Sequence, residues 1–333
     1  MLQLTCTTPF NAGFDLFPDS SGVDHVFIAV KATFRLGIPL TIADDQVPLH
    51  DRDVYFGEPG RTSVRYPGER HLCKPATDVL LVGQAHAPRG KPVQRLTVTV
   101  AVAGLRKAVD VLGDRRRGRV GVTSCEPFVA MPLVYERAFG GTRLSAGKPI
   151  AHDPRNPVGR GYRGPRGGDD DDDALPNLED PSAPCLDVGD RAVPACFAPI
   201  APGWAPRCVR AGTYDADWQT RRAPFLPADF DPRFFNTAAA ELIAPGHLVG
   251  GERVEVVHAS PDGPLLLNLP IVDHAITVRI AGERNRLRPA LETVLLEPDE
   301  RRLCMTWRAA VACDRQVLRI ENVTVGLDSL RFA

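Results

Sequence analysis

Residues 131–141 read MPLVYERAFGG, and Tyr135, Glu136 and Arg137 put a phenol, a carboxylate and a guanidinium at consecutive positions. These are the group types that supply an acid, a base and an anion clamp in hydrolytic chemistry. Consecutive placement works against convergence, because in an extended chain Tyr135 and Arg137 share one face while Glu136 takes the other. A buried Glu or Arg also needs a partner to offset its desolvation. Arg207, Asp229, Asp231 and Arg233, set among aromatic residues, are the expected partners. The stretch therefore reads first as an internal ion-pair knot, followed by a tight turn at Gly140 and Gly141. A hydrolase built on Tyr135, Glu136 and Arg137 is the alternative reading.

Other chemistry-bearing residues form no recognisable set. The eight cysteines (Cys6, Cys73, Cys125, Cys185, Cys196, Cys208, Cys304 and Cys313) include no CxxC knuckle and read as scattered reduced thiols. The histidines have no recurrent spacing and no HExxH. His25 takes the outward parity of its strand, and His71 and His152 neighbour carboxylates such as Glu69 and Asp153. No G-x-S-x-G elbow or glycine-rich phosphate loop occurs. Asp169–Asp173 are five adjacent carboxylates that repel one another, whereas calcium loops interleave ligands with spacers. They read as a solvated acidic loop. The basic run 105–119 lacks the aromatics that stack nucleic-acid bases and reads as exposed faces and a charged turn. No metal, cofactor or catalytic residue is expected.

The chain of 333 residues is long enough for a large core, and its 44% hydrophobic and 24% charged content is ordinary for a folded protein. Its formal charge is 40 − 41 = −1, so no global field draws it to nucleic acid or an anionic membrane. Without a basic n-region, an apolar h-region or an 18-residue apolar run, the expected location is cytoplasmic.

Strand signals occupy both ends. In HVFIAVKATFRL (25–36), Val26, Ile28, Val30, Ala32, Phe34 and Leu36 fall on one parity and Lys31, Thr33 and Arg35 on the other, which predicts a strand with one buried face. DVLLVGQAH (78–86) and VQRLTVTVAVAG (93–104) flank APRGKP, a hairpin-like connection, and LRKAVDVLGD (105–114) adds a further strand. Six short runs between 252 and 327 suit antiparallel strands. The region 143–235 holds 14 of the 31 prolines yet carries Trp204, Tyr214, Trp218, Phe225, Phe230, Phe234 and Phe235 in its second half, so it reads as ordered, irregular chain packed on the sheets. Its first half, particularly GPRGGDDDDDALPN (164–177), reads as a mobile loop. Two short helices are predicted, DADWQTRR (215–222) and TAAAELI (237–243). The predicted fold is mainly β, with sandwich-like or open-barrel-like antiparallel sheets in two lobes. The divisions are 1–142, a Pro/Gly-rich segment 143–246, and 247–333, together expected to form one composite unit.

Long motifs then carry a resemblance. DVLLVGQAHAPRGKPV, VLGDR, PFVAMPLVYERAFGG, NPVGRGY, LPNLEDP, GWAPRCVRAGTYDADWQTRRAPFLPADFDPRFFN and GGERVEVVHASPDG follow in the order seen in a bacterial domain family encoded beside type VI secretion genes. The resemblance spans roughly residues 10–265 and implies an adaptor, or effector chaperone, and not an enzyme. Such a protein binds a toxin effector, often one associated with a PAAR tip, and helps load it onto the valine-glycine-repeat spike. Its motif positions here include Met131, Pro132, Tyr135, Glu136, Arg137, Phe139, Gly140, Gly141, Asn156, Gly159, Trp204, Tyr214, Trp218, Asp231, Arg233, Phe234 and Asn236. The resemblance carries no catalytic residue. Aromatics and arginines are also the types enriched at binding hot spots, which favours the 200–236 segment as a client surface, and sheet edges offer strand addition as a second route. A carbohydrate-binding β module is the remaining alternative.

Overall fold

A computed structural model describes residues 3–118, 121–163, 174–185 and 192–332. The acidic run Asp169–Asp173 and most of the loop around it lie outside the described residues.

The β-branched and aromatic run Asp24–Arg35 forms the centre of a six-stranded sheet. It pairs antiparallel with Asn11–Pro18 on one side and with Arg302–Ala312 on the other, from Arg35↔Arg302 to His25↔Ala312. Ala290–Glu297 comes next, then Asp78–Leu81 in parallel, while Thr41–Ile42 pairs with the end of Asp24–Arg35. A five-stranded sheet runs Leu178–Glu179, Leu105–Leu112, Arg95–Val102, Arg253–Val257, Leu265–Asn268. A four-stranded sheet runs Gln3–Cys6, Ile320–Arg331, Ile271–Ile280, Glu283–Leu287. Each of the three sheets therefore draws strands from both ends of the chain.

The fold is mainly β, as the alternation predicts, with few short helices and no closed barrel. Buried residues of all three sheets, among them Ile28, Val98 and Val325, join one continuous core. Phe197, Trp204 and Leu242 from the irregular segment enter that same core.

Several local expectations change. Asp24–Arg35 is buried on both faces: Lys31 is 2% and Thr33 1% exposed. The chain from Gln46 to His71 covers the second face, with the Gln46 amide closing on the Thr33 backbone N and O at 2.8 Å each. The 78–86 and 93–104 runs are not hairpin partners. Arg95–Val102 folds back on Leu105–Leu112 through Ala103-Gly104, where φ is +50° and +87°. Positive φ at both central positions matches the right-handed strand twist, and Ala281-Gly282 repeats the device. The helix predicted over 215–222 is present as Ala216–Arg221, with Asp215 accepting a hydrogen bond from Trp218 N at 2.8 Å. The one predicted over 237–243 is only a 3-10 turn, Ala240–Leu242. Asn236, just before that run, donates its side-chain amide to Ala76 O and Asp78 Oδ1.

Candidate functional site

The Tyr-Glu-Arg triplet is a 3-10 turn, Tyr135–Arg137, and its three polar groups diverge. Tyr135 is buried edge-to-face on Trp204 at 5.4 Å, and burial holds its phenol well above the usual pKa. The Glu136 carboxylate accepts from Ser63 N and Ser63 Oγ, both at 2.7 Å. Arg137 Nη1 donates to Asp114 Oδ1 at 3.2 Å and Asn177 Oδ1 at 3.0 Å. Asn177 and the Arg137 guanidinium together hold the Asp114 carboxyl below its usual range. The partners expected from the sequence are engaged elsewhere. Arg207 donates to Phe234 O and Ile200 O, Asp229 accepts from Thr213, and Asp231 and Arg233 pair with each other.

The motif glycines serve a close backbone approach. Asn156, fully buried, donates to Tyr135 O at 2.8 Å and Phe139 O at 2.9 Å, so it ties the turn to the strand that follows. At Gly140 (φ +140°) a Cβ would sit 2.2 Å from Asn156 O, and at Gly159 one would sit 2.4 Å from Asn156 Nδ2. Gly140 and Gly159 therefore make room for Asn156. Gly141 (φ +125°) meets Gly159 O in the same way. Met131 and Phe139 are buried, and Pro132 lies in the short strand Ala130–Pro132 against Gln84–His86.

Asn236 belongs to a second assembly that sequence reasoning missed. On the covered face of the six-stranded sheet, Lys31 Nζ donates to Glu69 Oε2 at 2.8 Å, and Thr306 Oγ1 to Glu69 Oε1 at 2.8 Å. Arg308 Nε donates to Glu292 Oε2 at 2.8 Å, and Lys74 Nζ to Asp78 Oδ2 at 2.7 Å. The Asn236 amide and Thr237 N complete the Asp78 shell at 2.8 Å each. Three cations face three carboxylates, and all six side chains are buried. Burial, then the Arg308 and Lys74 charges, hold the neighbouring His71 well below its ordinary pKa, and its ring stacks on Phe235 at 5.2 Å. The cavity within this network is about 10 Å³, space for roughly one water. The network fixes chain to sheet and has no room for a substrate. Its sequence signal is a charge in the middle of an apolar strand, as at Lys31 and Arg308.

The remaining motif residues form a surface. Tyr214 is 55% exposed and packs edge-to-face on half-buried Trp218 at 4.7 Å. Trp218 Nε1 donates to Phe225 O at 2.8 Å, and Phe225 lies against the chain at Gly22. Phe230, Phe234 and Phe235 form a mutual cluster with centroids 5.5–5.8 Å apart, and Arg207 lies over Phe234 at 5.0 Å. Arg233 is exposed beside it. Trp204, by contrast, is core. The 212–236 motif thus separates into an anchored end at Asn236 and an aromatic end where exposed Tyr214 packs on half-buried Trp218. No group of three metal-ligating side chains occurs among the described residues, and no helix among them is long and apolar enough to cross a membrane.

No curated protein and no solved structure matches the chain. A family described as an uncharacterized protein conserved in bacteria (DUF2169) matches residues 21–308, so the chain belongs to that bacterial family.

Proposed function

We propose that the protein is a non-enzymatic adaptor that binds a toxin effector, often one carrying or encoded with a PAAR tip, and helps load it onto the type VI secretion spike. The observation that carries this reading is the Tyr214–Trp218 pair. It is an exposed aromatic platform held by a helix cap and by the Trp218–Phe225 hydrogen bond, within the longest family motif. Aromatic side chains that are already ordered lose little freedom on binding, which suits them as interface anchors. The divergent Tyr135, Glu136 and Arg137 side chains and the filled charge network support a scaffolding use of the other motifs.

The test is co-purification of the chain with a PAAR-associated toxin encoded beside it. Native protein is expected to retain the toxin. Tyr214→Ala and Trp218→Ala are expected to lose it while melting within a few degrees of native. Retention by both variants, or no toxin with native protein, would sink the reading. Ester, glycoside or peptide turnover that Glu136→Gln abolishes without unfolding the protein would replace it with a hydrolase.

A further inference from the structure

A groove of about 840 Å³ opens between the four-stranded and six-stranded sheets. One wall is the strand Ile271–Ile280. Its far side pairs with Ile320–Arg331 along the whole length, but its near side pairs with Glu283–Leu287 only from Ile276 to Ile280. Among the described residues, no strand pairs with the near side of 271–275, a free edge of roughly 16 Å at about 3.3 Å per residue. The partner strand bulges opposite this free half: Asp273 pairs with Ser329 and His274 with Leu327, which leaves Asp328 as the extra residue. Bulges re-aim side chains and concentrate beside functional sites.

The alternation of its own strand places His274 on the groove floor, 7% exposed and edge-to-face with Trp307 at 4.7 Å. Neither ring nitrogen of His274 has a hydrogen-bond partner. A buried polar group without a partner is unfavourable unless something supplies one. Of the groove's charged side chains, Arg286 pairs with Asp328 at 2.6 Å, and Asp273 accepts from Ser329 Oγ at 2.5 Å. Arg288 is exposed and has no partner among the described residues.

We propose that this groove is a peptide site. It takes an extended segment of a partner protein that adds as a strand to the free half at 271–275, seats apolar side chains over Trp307 and places a carboxylate on Arg288. The added strand continues the line of Glu283–Leu287 in the same sheet. Main-chain hydrogen bonds give affinity, and alternate side chains give specificity. Val272 and His274 face one side of the sheet and Asp273 the other, so the bound segment must alternate apolar and polar residues. The proposal deepens the adaptor reading and rests on it for the nature of the partner.

The test pans a random dodecamer peptide library on the full chain, with Arg288→Glu protein as counter-selection, and measures the enriched peptides by fluorescence anisotropy. Expected are peptides with alternating apolar residues and one Asp or Glu. Arg288→Glu should weaken them about tenfold, and replacing the acid by Lys should restore binding to that variant. His274→Phe keeps the ring packing and removes both nitrogens, so it is expected to raise the melting temperature yet weaken the peptides. Failure to enrich such peptides, or equal binding to native, Arg288→Glu and His274→Phe proteins, overturns the proposal. A toxin that co-purifies equally with native and Arg288→Glu chains removes the groove and leaves the adaptor reading. Peptide capture by a chain that retains no toxin does the reverse.

Discussion

Asp78 and Asn236 are 158 positions apart in the chain, yet the Asn236 amide donates to Asp78 Oδ1 at 2.8 Å with both side chains buried. The bond ties the end of the longest motif to the edge strand Asp78–Leu81 of the six-stranded sheet. It also orients a carboxylate that holds Lys74 out of water at 2.7 Å.

Removing that carboxylate should cost more than removing the ion pair. Asp78→Ala leaves the Lys74 ammonium buried without its partner and is expected to destabilise by about 3–5 kcal/mol. Lys74→Met with Asp78→Leu should recover a substantial part of that loss. Urea denaturation of both variants checks this, and a double variant no more stable than Asp78→Ala would show the pair is not the source.

The close approach at Gly140 predicts a steric failure. Gly140→Ala would place Cβ 2.2 Å from Asn156 O at a φ of +140°. Soluble yield should collapse. Asn156→Ala, which keeps the space and loses two hydrogen bonds, should cost about 2–3 kcal/mol and still fold. A Gly140→Ala protein that melts like native would contradict the assigned geometry.

Acid should destabilise the protein through His274. Burial pushes its pKa down to about 4 from an ordinary 6.5. The unfolded chain therefore takes up this proton first as pH falls, so stability is complete above about pH 6.5 and declines toward pH 4. A shift of 2.5 pH units corresponds to about 3 kcal/mol at this site. His274→Phe should flatten that part of the stability–pH curve. An unchanged slope would mean that other groups carry the acid response, His71 first among them, since it too is held well below its ordinary value.

Thiol labelling should be selective. Cys6 is exposed, whereas burial raises Cys73 and Cys304 to about 11 and Cys196 to about 12. The thiolate is the nucleophile, so these three should react slowly with a disulfide reagent in the native state. A fast phase that survives with Cys6, Cys125 and Cys208 all replaced by Ser would argue against this order.

The sequence by itself determined the secondary structure of the ends and the overall class. Alternation in Asp24–Arg35, the valine-rich run Arg95–Val102 and the Asp215 cap are local patterns, written in residues that touch one another along the chain. It also read Tyr135, Glu136 and Arg137 first as an internal knot, since consecutive positions on an extended chain do not converge. Pairing was beyond it: Arg95–Val102 turns back on Leu105–Leu112, and Asp78–Leu81 lies parallel to Ala290–Glu297, because strand partners are chosen by burial over long sequence separations. Alternation reveals that one face of a strand is hidden but says nothing of what covers the other. Only the tertiary structure brought Glu69 over Lys31, Glu292 onto Arg308 and Asn236 onto Asp78, turning Lys31, which the alternation set on the outward face, into part of a buried, charge-balanced network. The same is true of the groove above His274, which exists because the strand Ile271–Ile280 outruns its neighbour Glu283–Leu287.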